Sequence, residues 1–168
     1  KRKFPFTWEL AQTDGIWIGI NTSRTNRLVQ EAICQERIPE LTGYTDIRPE
    51  VSYGTGSRID LLLSGPSGDC HVEAKNVTLA EGKKALFPDA VTTRGQKHLH
   101  ELMEVVRSGG RGVIFFVVQR EDTRDFSTAD DIDPEYGRLL RIAVKSGVEA
   151  LVYQAAVSPL EIVLTKRL

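Results

Sequence analysis

The chain has 168 residues, 40% of them hydrophobic, and a formal charge of −1. That is enough for one packed core but excludes a globally basic nucleic-acid binder, so any nucleic-acid site has to be a local patch. No apolar run approaches the roughly 20 residues of a membrane span and no signal-peptide core leads the sequence, which predicts a cytoplasmic protein with no membrane partner.

The stretch KFPFTWELAQTDGIWIGINT predicts two strands around an Asp14-Gly15 turn, with Trp8 and Trp17 packing into the core. The sequence begins at Lys1 without a methionine and enters this pattern at once, so we expect residues 1–20 to form a hairpin joined to a preceding N-terminal portion. From about Thr22 to Glu36 the periodicity turns helical, with Leu28, Val29, Ala32 and Ile33 on one face, Arg24, Arg27 and Glu31 on a flank, and Pro39 beyond the end. Cys34 and Cys70 read as free buried thiols.

A strand near Ile47 to Tyr53 precedes RIDLLLSGPSGDCHVEAK, whose Gly65-Pro66-Ser67-Gly68 turn predicts a β-hairpin. A symmetric turn sets Leu63 opposite Cys70, Leu61 opposite Val72 and Asp60 opposite Glu73. A loop is expected from about Ala80 to Val91, then a helix from about Thr93 to Arg107 with the stripe Leu99, Leu102, Met103 and Val106, ended by Gly109-Gly110. The run GVIFFVV is too continuously apolar for a half-exposed strand and reads as a buried central one. Asp133-Pro134 opens a third helix, and VEALVYQAAV supplies another strand. Helices interleaved with hairpins and strands predict an α/β architecture with a mixed sheet.

Alternation along CHVEAKNV puts Glu73 and Lys75 on one face of their strand, and the hairpin brings Asp60 beside them. Like charges directly opposed across a ladder are destabilising unless a cation lies between them. Two hard carboxylates suit Mg²⁺, which takes its remaining ligands from water and substrate phosphates. A neighbouring lysine can orient or help deprotonate an attacking water, and together this is equipment for hydrolysis of a phosphodiester. The same residues, taken as bare spacing, also make an ordinary surface ion pair on a solvated sheet face. The helix after the hairpin carries Arg94, Lys97, His98 and Glu101 along one stripe, which reads either as a solvated face or as phosphate contacts at the rim of the carboxylate cleft. The three histidines show no zinc spacing. Asp89 reads as a loop cap or as an acid behind the metal ligands.

The D-x₁₂-EAK pattern, preceded by a helix bearing Glu31 and followed by a helix and a buried strand, resembles the PD-(D/E)XK nuclease core. The segments NTSRTNRL, SRIDLLL, VEAKNVTL, FPDAVTTRGQKHLHEL, VIFFVVQR and GVEALVY resemble the sugar fermentation stimulation protein A family across essentially the whole chain. The resemblance implies a restriction-endonuclease-like fold for residues 21–168, a mixed β-sheet flanked by helices, preceded in the family by an OB-like domain. It implies Asp60 and Glu73 as metal ligands with the Ala74 carbonyl as a third, Lys75 as the catalytic lysine and Glu31 as the helix acid. Mg²⁺ or Mn²⁺ is the implied cofactor. DNA, bound without sequence preference, is the implied partner, with contacts expected from Arg94, Lys97, His98, Arg24 and Arg27. Ile59 stands where the nuclease pattern has proline. Members of the family are described as non-specific DNA binders and possible regulators of maltose metabolism. Two readings therefore stay open, a Mg²⁺-dependent nuclease and a non-cleaving DNA-binding regulator, and the sequence is silent on whether the chain forms a homo-oligomer.

Overall fold

In the computed structural model, which describes residues 4–53 and 57–168, the chain opens with a hairpin of β1 (Leu10–Thr13) and β2 (Ile16–Gly19). Its turn residues Asp14 and Gly15 both have positive φ, 48° and 78°, the conformation that lets a two-residue turn follow the right-handed strand twist. Trp17 packs against the core, but Trp8 is 75% exposed, contrary to expectation. It precedes the ladder, so no cross-strand partner turns it inward. A 3-10 turn at Thr22–Arg24, capped by the Asn21 side chain, leads into α1 (Thr25–Cys34). Val29, Ala32 and Ile33 are its buried apolar stripe, whereas Cys34 is exposed; of the two thiols only Cys70 is buried.

Strands β3 (Asp46–Tyr53), β4 (Ser57–Gly65) and β5 (Gly68–Val77) form an antiparallel meander. The segment expected as a loop contains a hairpin instead, β6 (Ala80–Glu81) with β7 (Lys84–Phe87). Then follow α2 (Thr93–Arg107), β8 (Arg111–Val118), β9 (Asp125–Thr128), α3 (Pro134–Lys145), β10 (Glu149–Val157) and β11 (Ile162–Arg167). Strand β9 pairs in parallel with β7, making a small three-stranded sheet. Segments of two to four residues carry too little periodicity to be legible as strands, and pairing with a distant segment is what stabilises them.

The main sheet runs β11-β10-β8-β5-β4-β3. Its centre, β5, β8 and β10, is parallel, and its flanks are antiparallel. Strand β8 shows why GVIFFVV is apolar throughout. Val113, Phe115 and Val117 join the core beneath α1, while Ile114, Phe116 and Val118 join the core beneath α2 and α3. The result is a three-layer α/β arrangement of a mixed sheet with helices on both faces, as expected at that level of description. Helix α1 covers one face, and Asn26 in its first turn and His98 in the second turn of α2 reach the sheet where β4 and β5 separate.

Candidate functional site

The β4–β5 register is as the turn predicts as far as Leu61↔Val72. There the paired ladder ends, one step short of the expected Asp60–Glu73 pair. Asp60 takes over the hydrogen bonding of the parted strands, its Oδ2 accepting from the Ala74 backbone N–H at 2.9 Å. Its Oδ1 accepts from Asn26 Nδ2 of α1 at 2.7 Å. The side chain thereby ties the hairpin to the first turn of α1 at the point where β4 leaves β5.

Alternation along β5 places Val72 and Ala74 in the core under α1 and turns Glu73 and Lys75 to the α2 side. Glu73 is 1% exposed, which rules out a solvated surface pair. Its Oε1 accepts from Lys75 Nζ at 2.6 Å and is hydrogen-bonded to His98 Nδ1 of α2. Its other oxygen, Oε2, is buried and has no hydrogen-bond partner. Burial is the largest influence on both carboxyls. At Asp60 burial and the Glu73 charge together hold the pKa above the ordinary range, against the Ala74 N–H, Lys75 and Asn26. At Glu73 burial also pushes upward, but the His98 bond and the Lys75 ammonium outweigh it and the pKa falls below the usual value. The two acids therefore differ in character although they share one site, because the Lys75 ammonium and the His98 hydrogen bond stand at Glu73.

Around them lies an open cleft of about 750 Å³ lined by Asp60, Glu73, Lys75, Asp89, Arg94 and His98, with Asn26 and Glu50 at its walls. Among its lining residues, the carboxylates of Glu50, Asp60, Glu73 and Asp89 outnumber the cations Lys75 and Arg94. Such a cleft repels a phosphate unless a cation enters with it. The Asp60 carboxyl and the Glu73 carboxyl with its orphaned Oε2, lining one cleft, fit a hard divalent ion that completes its coordination with water and phosphate oxygens. Among the described residues no three His, Cys, Asp or Glu side chains are grouped as ligands, so protein carboxylates alone do not form a closed cage.

The other expected site residues scatter. Glu31 is exposed and lines a separate cavity of about 420 Å³ with Arg24 and Arg27. The residue of α1 that meets Asp60 is Asn26, three positions before the buried Val29, whereas Glu31 lies two positions after it and so points away from the sheet. Arg24 is paired with Glu9 at 3.2 Å. Lys97 turns away from the carboxylates, pairs with Glu101 at 3.5 Å and lines a cavity of about 850 Å³ on the other flank of α2. That larger cavity holds none of Asp60, Glu73 and Lys75. His98, expected at the rim, lies beneath it and lines the cleft. At 6% exposure it is part of the centre. A sequence signal existed for it, since His98 falls four residues before Leu102 and three after Gly95 on the buried stripe of α2.

Residues 23–161 match the family model described as the sugar fermentation stimulation protein RE domain. The sugar fermentation stimulation protein homolog of Pelobacter propionicus is 68% identical over 167 residues, covering 99% of this chain and 73% of that protein. The homolog of Geobacter sulfurreducens is 66% identical over 168 residues, with 100% and 72% covered. Among solved structures, that of Pyrococcus furiosus SfsA in complex with Ca²⁺ is similar, with a TM-score of 0.86 and 31% identity over 92% of this chain and 67% of that one.

Proposed function

The chain belongs to the sugar fermentation stimulation protein family, and on that premise we propose that it is a divalent-metal-dependent phosphodiesterase of the PD-(D/E)XK type acting on DNA, with Asp60, Glu73 and Lys75 at its centre. The observation that carries this reading is the convergence of two unlike carboxyls and one lysine in an open cleft, with one buried carboxylate oxygen left without a partner.

Asp60 and Glu73 would hold the cation, with the Ala74 carbonyl as a third donor. In an extended strand a residue's N–H and C=O point to the same edge. The Ala74 N–H bonds Asp60, so its carbonyl faces the same gap between β4 and β5. The relative in complex with Ca²⁺ supports an oxygen-donor site, because Ca²⁺ and Mg²⁺ draw on the same carboxylate and carbonyl ligands. A divalent ion bound there supplies Lewis-acid polarisation of a phosphate oxygen and makes water more acidic. The residues of the chain do the positioning. Lys75 donates N–H groups beside the carboxylates and orients the water that attacks phosphorus as the ester oxygen departs. Arg94, at the mouth of the same cleft, meets a non-bridging phosphate oxygen without reading a base.

Incubation of the protein with single- and double-stranded DNA and RNA, in Mg²⁺, Mn²⁺ or EDTA, tests this. Cleavage of DNA with either metal and none in EDTA is the expected result. Intact substrates in every condition leave a non-cleaving DNA-binding regulator in place of the nuclease.

A further inference from the structure

The hydrogen bonds around His98 fix where its proton lies. Arg94 Nε approaches His98 Nε2 at 3.3 Å, and a guanidinium only donates, so Nε2 is the acceptor. The ring proton then sits on Nδ1, which donates to Glu73 Oε1. Lys75 Nζ lies 3.2 Å from Nδ1 and 2.6 Å from Glu73 Oε1. Two donors cannot bond one another, so the close approach of Lys75 to His98 reflects their convergence on the same oxygen. All the donors gather on Oε1, and Oε2 is left over. At the far end of the ring, Arg94 forms no ion pair among the described residues, and it is an exposed residue of the cleft wall. With its Nε on His98, the terminal nitrogens of its fork remain for an anion.

We infer that His98 is a positioning residue that joins the two halves of the site, fixing through Nδ1 which oxygen Glu73 offers to a cation and holding through Nε2 the guanidinium that faces the phosphate. This role rests on the reading of the cleft as a metal and phosphate site. It differs from the phosphate contact that its place on the charged stripe of α2 suggests, because the buried imidazole touches neither ligand and acts through its neighbours. A single ring makes cation binding and phosphate binding depend on one rotamer.

The two nitrogens can be separated by substitution. An asparagine amide reaches about as far as Nδ1 and can donate to Glu73, but it is too short for Arg94. A glutamine amide reaches about as far as Nε2 and can accept from Arg94, but it no longer donates from the Nδ1 position. Mn²⁺ affinity is measured by calorimetry on the protein alone. DNA affinity is measured by anisotropy of a fluorescein-labelled duplex, at Ca²⁺ concentrations saturating for each variant.

His98→Gln is expected to lose more Mn²⁺ affinity than His98→Asn, by up to the roughly 10–100-fold typical of residues that orient a ligand. The order for DNA should reverse. His98→Asn should match Arg94→Ala, and the double variant should lose no more than either alone, as expected for two residues acting through one bond. Parallel losses for both histidine variants in both titrations overturn the inference and reduce His98 to a packing residue, and so does the absence of any loss. If the histidine variants do not fold, the outcome passes to Arg94. Arg94→Lys keeps a charge but loses the Nε–H, so it should bind DNA nearly as weakly as Arg94→Ala; wild-type affinity in Arg94→Lys refutes the link. A wild type that binds neither Mn²⁺ nor Ca²⁺ refutes the reading of the site itself, a result distinct from wild-type binding with unaltered variants.

Discussion

Replacing Asp60 with asparagine separates the electrostatics of the carboxyl pair from the metal affinity proposed for it. Burial and the neighbouring Glu73 charge raise the Asp60 pKa in the folded protein. A raised carboxyl contributes stability that is fully present below its unfolded value, about 3.9, and is lost as pH rises through the folded value. At pH 7.5 the ionised Asp60 is therefore a liability without metal. Neighbouring side chains across a sheet interact by about 0.2–1 kcal/mol, and the repulsion between the Asp60 and Glu73 charges, adjacent though not paired in the ladder, is of that order. A domain of this size shifts by about 2–4 °C per kcal/mol, so Asp60→Asn in EDTA should melt up to about 4 °C higher than wild type. The asparagine side-chain oxygen can still accept from the Ala74 N–H, and its NH2 can donate to Asn26 Oδ1 once the Asn26 amide turns over, so both bonds that tie the hairpin are kept. Metal reverses the order. At a free concentration 100 times the dissociation constant, a ligand of the folded state adds about 2.7 kcal/mol, or about 5–11 °C for wild type, and the variant should gain little of it. Scanning calorimetry with and without millimolar Mg²⁺, Mn²⁺ or Ca²⁺ reads both effects. A wild-type melting temperature unmoved by all three ions, or an equal gain in Asp60→Asn, would refute the metal site.

Lys75→Ala should keep or strengthen Mn²⁺ binding, since it unloads Glu73 Oε1, while cleavage falls about 10²–10⁴-fold in time courses matched to calorimetry. Glu73→Gln keeps an acceptor oxygen but removes the negative charge on which Lys75 and His98 converge, and leaving the Lys75 ammonium without its counter-charge should cost about 3–5 kcal/mol near neutrality by denaturant titration. Because the folded Glu73 pKa is lowered, the part of that advantage that depends on its charge is present above the unfolded value of about 4.3 and lost as pH falls through the folded one, so the gap between wild type and Glu73→Gln should narrow in acid. DNA affinity should fall steeply with salt. Arg94→Ala should reduce the slope of log K against log salt by about 0.9, whereas Arg24→Ala, already paired with Glu9, should leave it unchanged, and the reverse pattern would move the interface to the other cavity.

What the sequence by itself determined is local in origin. The period-two alternation of β5 put Glu73 and Lys75 on one face, the hairpin turn set the register from Gly65↔Gly68 to Leu61↔Val72, and apolar stripes located the helices. The family's motifs marked Asp60, Glu73 and Lys75 as a unit. Tertiary structure decided everything that depends on how an element is rotated or where a ladder stops. Anchoring α1 through Val29, Ala32 and Ile33 aimed Asn26 at Asp60 and left Glu31 facing another cavity. Anchoring α2 through Leu99 and Leu102 split one charged stripe, burying His98 against Glu73 and turning Lys97 toward Glu101. Neither rotation is written in spacing, because a helix flank becomes a cleft wall or a solvated face only when the core beneath it has chosen which residues to bury. The ladder's end at Leu61↔Val72 likewise follows from strand separation, which lets the Asp60 carboxylate, and no backbone carbonyl, satisfy Ala74.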